Sequence, residues 1–316
     1  MGALLYCLKR ADNPTLPLTF PSFTQTSELS SKSNANATSS FATVSAVCSS
    51  LCDFGWSILK SSLVEDDKTP IRSGDGAVEF RPVEISTLAF SLDQVKQIKD
   101  KLRVAINDVI AGIIFCGTRL YMQGRGNKMQ NSNSTALVLL NTRNIDGYKS
   151  LKEMVKVGKE TAWGNRFTFL HASVPDPIID ETFNPLEFVF RTKKIIKKKR
   201  SSLAVHLTGQ ILETLRKYRG PEAAAQYIHT LLKNSSMTIS NMIGPAEQMA
   251  LADHPIKGLY FMVVGVPQSL TITVMSYMRK LRIAVGVEKG FIDSQNFISC
   301  LQNAFELTFK AANKSG

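Results

Sequence analysis

The sequence LTITVMSYMRKLRIAVGVE, residues 270–288, decides how this chain folds. It holds two runs rich in β-branched and aromatic residues, separated by a polar turn near Arg279. Such runs on either side of a short turn predict an antiparallel β-hairpin. The hairpin supplies two strands of a sheet, so the flanking elements must supply the remaining strands and the layer that covers them.

Further strands are predicted before this hairpin, with helices between them. The strand-like stretches are EISTLAFSL (84–92), STALVLLN (134–141), NRFTFLHASV (165–174), SMTISNM (236–242) and LYFMVV (259–264). Helical periodicity or capping signals predict helices from Ser91 to Leu102, Asn107 to Tyr121, Pro185 to Ser202, Leu203 to Tyr218, Pro221 to Lys233 and Asp293 to Ala312. Strands interleaved with helices, followed by a late hairpin, predict an α/β fold with a mixed sheet flanked by helices.

The composition changes before this globular region. MGALLYCLKR opens the chain with Leu4, Leu5 and Leu8 at helical spacing, so residues 1–14 are interpreted as a helix. Residues 15–40 are rich in Ser, Thr and Asn and predict a flexible linker. Residues 41–64 predict an amphipathic or membrane-associated helix. A membrane span is less favoured there because Asp53 is costly in lipid, and the C-terminal domain is predicted to cover residues 84–316.

The charge of the chain favours an anionic partner. The formal net charge is +12, and RTKKIIKKKR (191–200) holds seven basic residues without an acid. The basic residues of this run are Arg191, Lys193, Lys194, Lys197, Lys198, Lys199 and Arg200. Such a run can be a solvated helix face, or it can attract an anionic membrane or a phosphorylated cofactor. Nucleic acid is disfavoured because no aromatic residues are interleaved with the charges.

Sequence motifs exclude several catalytic classes. The five cysteines show no C-x-x-C spacing, and His171, His206, His229 and His254 show no metal-ligand spacing, so no metal site is expected. No P-loop, dinucleotide fingerprint or nucleophile elbow is present. The most informative string is MTISNMIGP (237–245), in which a strand ends in Ser240-Asn241 and breaks at Gly244-Pro245. Polar residues at such a strand end commonly line a cleft, although a plain strand-to-turn exit gives the same pattern.

Several strings taken together resemble a known family. INDVIAGIIFCGTRLY (106–121), LVLLNTRN (137–144), WGNRFTFL (163–170), TISNMIGPAEQMALADHPI (238–256) and PQSLTITVMSYMRKLRIAVGVEKG (267–290) occur in this order. They resemble the C-terminal part of the plant wax ester synthase/diacylglycerol acyltransferase family. The resemblance implies a lobe of the CoA-dependent acyltransferase fold, with a tunnel between two α/β lobes.

The resemblance also implies what the sequence lacks. The family's catalytic motif, H-H-x-x-x-D-G, lies on a loop of the first lobe and supplies a histidine base that deprotonates the acceptor hydroxyl. That motif is not found in these 316 residues. A helix similar to MGALLYCLKR follows the loop in the family, so the expectation is a chain that begins after the loop, with most of the first lobe missing. No catalytic residue is therefore assigned, and this chain alone is expected to be inactive.

Non-catalytic positions match the family's motifs. As substrate-tunnel or structural residues, the resemblance implies Asn107, Asp108, Asn141, Arg143, Asn165, Ser240, Asn241, Gly244 and Pro245. The implied substrates are acyl-CoA with a long-chain alcohol or diacylglycerol, and no metal or redox cofactor is implied. The expected location is the cytoplasmic face of the endoplasmic reticulum or plasma membrane. The alternative function is a non-catalytic lobe that binds acyl-CoA, lipid or a partner chain.

Overall fold

The structure is a computed structural model with a six-stranded mixed sheet in the part of the chain that it describes. It describes residues 64–126, 132–141, 167–175, 184–200, 203–245 and 248–314, and for Asn141, Arg200 and residues 203–207 it describes the backbone alone. The long strands are β1 (Val83–Ser91), β2 (Thr135–Asn141), β3 (Phe167–Ser173), β4 (Met237–Ile243), β7 (Leu270–Tyr277) and β8 (Lys280–Glu288). Two short strands, β5 (Ala250–Leu251) and β6 (His254–Pro255), form a separate small hairpin.

The sheet has the strand order β1-β8-β7-β4-β2-β3. Strand β4 lies parallel to both β2 and β7, whereas the pairs β7–β8, β8–β1 and β2–β3 are antiparallel. The hairpin predicted from residues 270–288 is therefore present, and it lies between β1 and β4. The α/β fold with a mixed sheet is confirmed.

Six helices accompany the sheet in the described ranges. They are α1 (Leu92–Leu102), α2 (Ile106–Gly124), α3 (Pro185–Arg200), α4 (Leu203–Arg219), α5 (Pro221–Lys233) and α6 (Ser294–Lys314). Helices α1, α2, α3 and α6 pack together on one face of the sheet. Helix α5 packs on the opposite face, where Leu231 and Leu232 meet Leu137 and Phe169 of β2 and β3.

Helix α2 is the centre of the helical layer. Every residue from Asp108 to Arg119 is buried, so the helix has neighbours on all sides. A Cβ atom at Gly112 would lie 2.8 Å from the Cα atom of Val189 in α3. A Cβ atom at Gly117 would lie 2.9 Å from the Cα atom of Leu301 in α6. The two glycines thus allow α3 and α6 to approach the α2 backbone closely.

The segment before β1 is tied to the start of the parallel strands. The buried carboxylate of Asp66 accepts hydrogen bonds from the Thr135 amide at 2.6 Å, the Thr135 hydroxyl at 3.0 Å and the Ser236 hydroxyl at 2.7 Å. Arg72, also buried, donates to the backbone carbonyls of Asp66 and Lys233 at 2.6 and 3.0 Å. These bonds hold the segment against β2 and β4, at the sheet edge opposite the carboxyl ends of the parallel strands.

One predicted strand is wrong. Residues 259–264, LYFMVV, form no strand. The segment covers the face of the sheet opposite the helical layer: the carbonyl of Phe261 accepts a hydrogen bond from the Thr273 hydroxyl, and Met262 lies over Gly286. Because it lies on the face of the sheet and not beside an edge strand, its backbone cannot join the hydrogen-bonding ladder of the strands.

The other predicted elements in the described ranges are confirmed, with ends that move by a few residues at most. Helix α2 extends three residues past its predicted end at Tyr121, and the short strands β5 and β6 were not predicted. The predicted helix at 1–14, the linker at 15–40 and nearly all of the helix at 41–64 lie outside the described residues.

No single described helix is both long and apolar enough to cross a membrane. Helices α1 and α2 reach that length and apolarity only when taken together, and the pair is bent by 102°.

The close approach of α2 and α3 gives the first prediction. Gly112→Ala should destabilise the fold by about 1–3 kcal/mol, because the added methyl group collides with the Val189 backbone. Gly124→Ala is the matched control, since nothing lies within 4 Å of a Cβ atom there. The control should be neutral or stabilising by up to about 1 kcal/mol. Urea unfolding of both variants measures the difference, and equal stability would contradict the packing.

Candidate site at the carboxyl ends of the parallel strands

Strands β2, β4 and β7 run parallel, so their carboxyl ends meet at one edge of the sheet. These ends are Asn141, Ile243 and Tyr277. In sheets built on parallel strands, loops at this edge commonly form binding sites. The string SNMIGP, residues 240–245, lies here, so the structure brings the most informative motif of the sequence to this edge.

The first contact at this edge joins the helical layer to the sheet. Asn241 on β4 donates its Nδ2 hydrogen to Oδ1 of Asn107 at 2.9 Å, and Asn107 lies in the first turn of α2. Both side chains are exposed. The pair therefore presents further amide donors and acceptors to solvent, at the amino terminus of a buried helix. Sequence reasoning named both residues, and the structure brings them together.

The neighbouring carboxylate caps the helix. Asp108 is buried, and its Oδ2 atom accepts a hydrogen bond from the Ala105 amide at 3.0 Å. This bond satisfies an amide at the helix start, which would otherwise have no partner within the helix. This capping contact gives Asp108 a structural role at the start of α2.

Gly244 lets the chain leave β4 close to β7. A Cβ atom at this position would collide with the carbonyl oxygen of Ser276 and would lie 3.1 Å from Cγ of Met275. The Gly244 amide donates to the Ser276 hydroxyl at 3.3 Å, and Pro245 is buried beside it. Both residues of the G-P pair thus shape the exit of the strand.

Ser240 lies on the opposite face of the sheet from Asn241. Consecutive residues of a strand point to opposite faces, and Ile239 belongs to the core beneath the helices. Ser240 therefore shares the other face with its neighbour Thr273 on β7. It is buried, and the described residues offer its hydroxyl no hydrogen-bond partner. The two polar residues of the motif consequently belong to two separate surfaces.

The surface around Ser240, which we call the threonine face, consists of Thr238, Ser240, Thr271 and Thr273. Thr238 donates to Gln268 at 2.6 Å and Thr273 donates to the Phe261 carbonyl. Sequence reasoning did not identify Thr271 and Thr273. The signal was present in LTITV, where threonines alternate with core residues at the period of a strand.

Arg282 extends this surface on β8. Its guanidinium is partly buried and donates to the Thr87 hydroxyl at 3.4 Å, with Gly258 passing close over it. The described residues place no carboxylate in an ion pair with it. Sequence reasoning did not single out this residue, because a lone arginine within a strand carries no local signal.

The structure describes no side chain for three of the sequence-predicted residues. Asn141 ends β2 at the same edge, and only its backbone is described. Arg143 and Asn165 lie outside the described residues. Their assignment to the tunnel stays a prediction.

The basic run lies on α3. Arg191 pairs with Glu187 at 2.8 Å, and Lys193 donates to the carbonyl of Arg103 at 3.1 Å. Lys194, Lys197 and Lys198 are exposed, Lys199 is partly exposed, and Arg200 ends the helix. Arg191 thus pairs within α3, Lys193 joins α3 to the end of α1, and Lys194, Lys197 and Lys198 lie on the exposed side of the helix.

No acid–base or metal centre is found among the described residues. No group of three His, Cys, Asp or Glu could hold a metal ion there, and Asn107, Ser240 and Asn241 make no hydrogen bond to a histidine. His229 lies 3.2 Å from Glu79, whose pKa is lowered chiefly by a hydrogen bond from its own backbone amide. Burial raises the pKa of the Cys116 thiol to about 12, which disfavours thiolate chemistry. The site offers amide and hydroxyl contacts that can orient a substrate.

Comparison with known proteins gives one matching family model. Residues 163–308 match the model described as the WS/DGAT C-terminal domain. The chain is similar to wax ester synthase/diacylglycerol acyltransferases 4 and 5 of Arabidopsis thaliana, at 27% identity over 92% of the chain in each case. It spans 59% and 61% of the length of these relatives.

Solved structures agree on the fold. The chain is similar to a wax ester synthase/diacylglycerol acyltransferase from Marinobacter aquaeolei VT8, with a TM-score of 0.52 and 12% identity over 84% of this chain and 57% of that one. It also resembles part of a nonribosomal peptide synthetase, with a TM-score of 0.50 and 11% identity over 84% of this chain and 26% of that one. At these identities the likeness concerns the fold.

The strand exit at Gly244 yields the second prediction. Gly244→Ala should destabilise the fold by about 3 kcal/mol or more, because the new methyl group collides with the backbone of β7. Gly76→Ala serves as the control, since open space surrounds that position, and its effect should stay within about 0.5 kcal/mol. Thermal unfolding of the two variants tests this, and a Gly244→Ala variant as stable as the control would refute the close approach.

Proposed function

From the match of residues 163–308 to the WS/DGAT C-terminal domain and the similarity to plant wax ester synthase/diacylglycerol acyltransferases, we propose that the chain is the C-terminal part of an acyl-CoA-dependent O-acyltransferase. The acceptor is a long-chain alcohol, which gives a wax ester, or diacylglycerol, which gives triacylglycerol. The observation that carries the proposal is the match of residues 163–308 to the family's C-terminal domain, because this range contains β4 and its S-N-x-x-G-P exit.

In this proposal the two surfaces at the end of β4 contact different parts of the substrates. The threonine face supplies the Ser240 hydroxyl, which has no hydrogen-bond partner among the described residues, and a nearby guanidinium, and the Asn107–Asn241 pair supplies amide groups at the start of α2. Hydroxyl and amide groups can bind the polar atoms of a thioester or of CoA and so hold it in place for attack. The chain contributes binding and orientation in this way.

Deprotonation of the acceptor hydroxyl needs a base within hydrogen-bond reach. The 316 residues contain no H-H-x-x-x-D-G motif. We therefore propose that this chain by itself does not catalyse acyl transfer. The second candidate function, a lobe that binds acyl-CoA or lipid without turnover, is favoured by this same observation.

We also propose that the protein works at the cytoplasmic face of the endoplasmic reticulum or plasma membrane. Both acceptors are apolar and partition into lipid. The exposed lysines of α3 support contact with anionic headgroups, since each contributes about 1 kcal/mol near such a surface.

The third prediction concerns turnover by the chain as given. With palmitoyl-CoA and either hexadecanol or dioleoylglycerol, formation of wax ester and triacylglycerol should equal the background without protein, because no base is supplied. Titration with palmitoyl-CoA should still give saturable binding. Robust ester synthesis would contradict the proposed absence of a base and would make His254 the first residue to mutate. Absence of both binding and turnover would contradict both candidate functions.

The fourth prediction separates substrate contact from folding at β4. In a full-length relative, Ala at the positions of Ser240 and Asn241 should each lower acyl transfer with little change in the unfolding midpoint, because the Ser240 hydroxyl has no described partner and the Asn241 side chain is exposed. A much lower midpoint with unchanged activity per folded molecule would assign both residues a structural role.

A further inference from the structure

Two hydrogen bonds join helices α1, α3 and α6 at one end of the domain. Lys193 of α3 donates to the carbonyl of Arg103, which directly follows α1, at 3.1 Å. Gln97 of α1 donates to Asn313, near the end of α6, at 3.1 Å. Basic residues near the ends of α1 and α6, and the part of α3 that follows Lys193, therefore lie in one region, although they are far apart in sequence.

This region, which we call the basic end, is rich in exposed cations. Besides the lysines of α3 it holds the partly exposed Lys99 and the exposed Lys101, Arg103, Lys310 and Lys314. Asp100, the acid in the last turn of α1, pairs with Lys99 at 3.1 Å. Like charges so close together raise the local potential, which attracts polyanions and anionic surfaces.

Exposed apolar side chains border the basic end. Asn107, at the start of α2, is bonded to Asn241, so the carboxyl edge of the sheet is part of the same end of the domain. On that edge Ile243 is 62% exposed at the end of β4, and Met278 is 39% exposed in the β7–β8 turn. These two apolar side chains do not favour the binding of a nucleic acid, whereas cations beside exposed apolar groups are typical of a membrane interface.

We propose that the basic end, together with Ile243 and Met278, is a docking surface for an anionic lipid membrane. The surface combines α1, α3, α6 and the sheet edge, with the cations at the headgroups and the two apolar side chains inserted between them. It rests on the membrane contact suggested above for α3 and extends it to a defined face. Docking in this orientation places the Asn107–Asn241 pair next to the lipid, where apolar acceptors partition.

The test uses the full chain and vesicles of phosphatidylcholine, with or without phosphatidylserine. The first variant, Lys101→Gln/Lys310→Gln/Lys314→Gln, changes α1 and α6 and leaves α3 intact. It should weaken binding to the anionic vesicles on the order of 100-fold, because each lysine accounts for about fivefold. Salt should reduce the binding of the unmodified chain.

The matched control removes three lysines from the opposite edge of the sheet, in Lys68→Gln/Lys233→Gln/Lys289→Gln. The net charge changes equally, so binding should fall about twofold or less if position decides, given screening over a Debye length. Equal losses in the control and in the first variant would overturn the defined face. Unfolding midpoints of all variants show whether a loss of binding comes from a loss of fold.

Two further variants distinguish membrane docking through this composite face from nucleic-acid binding and from membrane contact through α3 alone. Ile243→Thr/Met278→Asn should weaken vesicle binding and leave binding to single-stranded RNA unchanged, and the reverse pattern would overturn the membrane as partner. Asn suits the positive φ of 47° at Met278.

Lys197→Gln/Lys198→Gln/Lys199→Gln tests α3 alone. If this variant loses binding and the α1–α6 variant does not, the composite face is wrong while the contact through α3 stands.

Discussion

The structure depends on how closely α2 can approach its two neighbouring helices. Gly112 and Gly117 lie on α2 where the backbones of α3 and α6 pass, and neither position has room for a side chain. Interiors at this density are sensitive to one added carbon atom. The approach fixes the helical layer as a unit, and the layer in turn places the start of α2 against the end of β4.

The alternation of side chains along β4 divides the candidate site into two surfaces. Asn241 joins the helical layer through Asn107, whereas Ser240 lies among threonines on the other face. The motif thus places one polar side chain on each face of the sheet. Gly244 then lets the chain leave β4 close to the backbone of β7. The arrangement offers amide and hydroxyl groups that suit the orientation of a substrate.

Charge at the end of the helical layer has more than one role. Lys193 fastens α3 to the end of α1, and Arg191 pairs within its own helix. Cations at helix carboxyl ends also offset the helix dipole. Lys194, Lys197 and Lys198 lie beyond these two contacts on the exposed side of α3, where they can also meet an anionic surface.

The sequence by itself determined the type of most elements, because strand and helix periodicities follow from backbone geometry. It identified the hairpin at 270–288, the helices and the S-N-x-x-G-P exit. Its one clear error, the strand at 259–264, arose because an aromatic and β-branched composition does not show whether a segment lies beside an edge strand or on the face of the sheet. Only the tertiary structure decided that Asn107 meets Asn241 across 134 residues and that Ser240 faces away from both. It also decided that the cations of α1 and α6 lie in the same region as those of α3. These relations depend on which elements pack together, and no local pattern of residues encodes that choice.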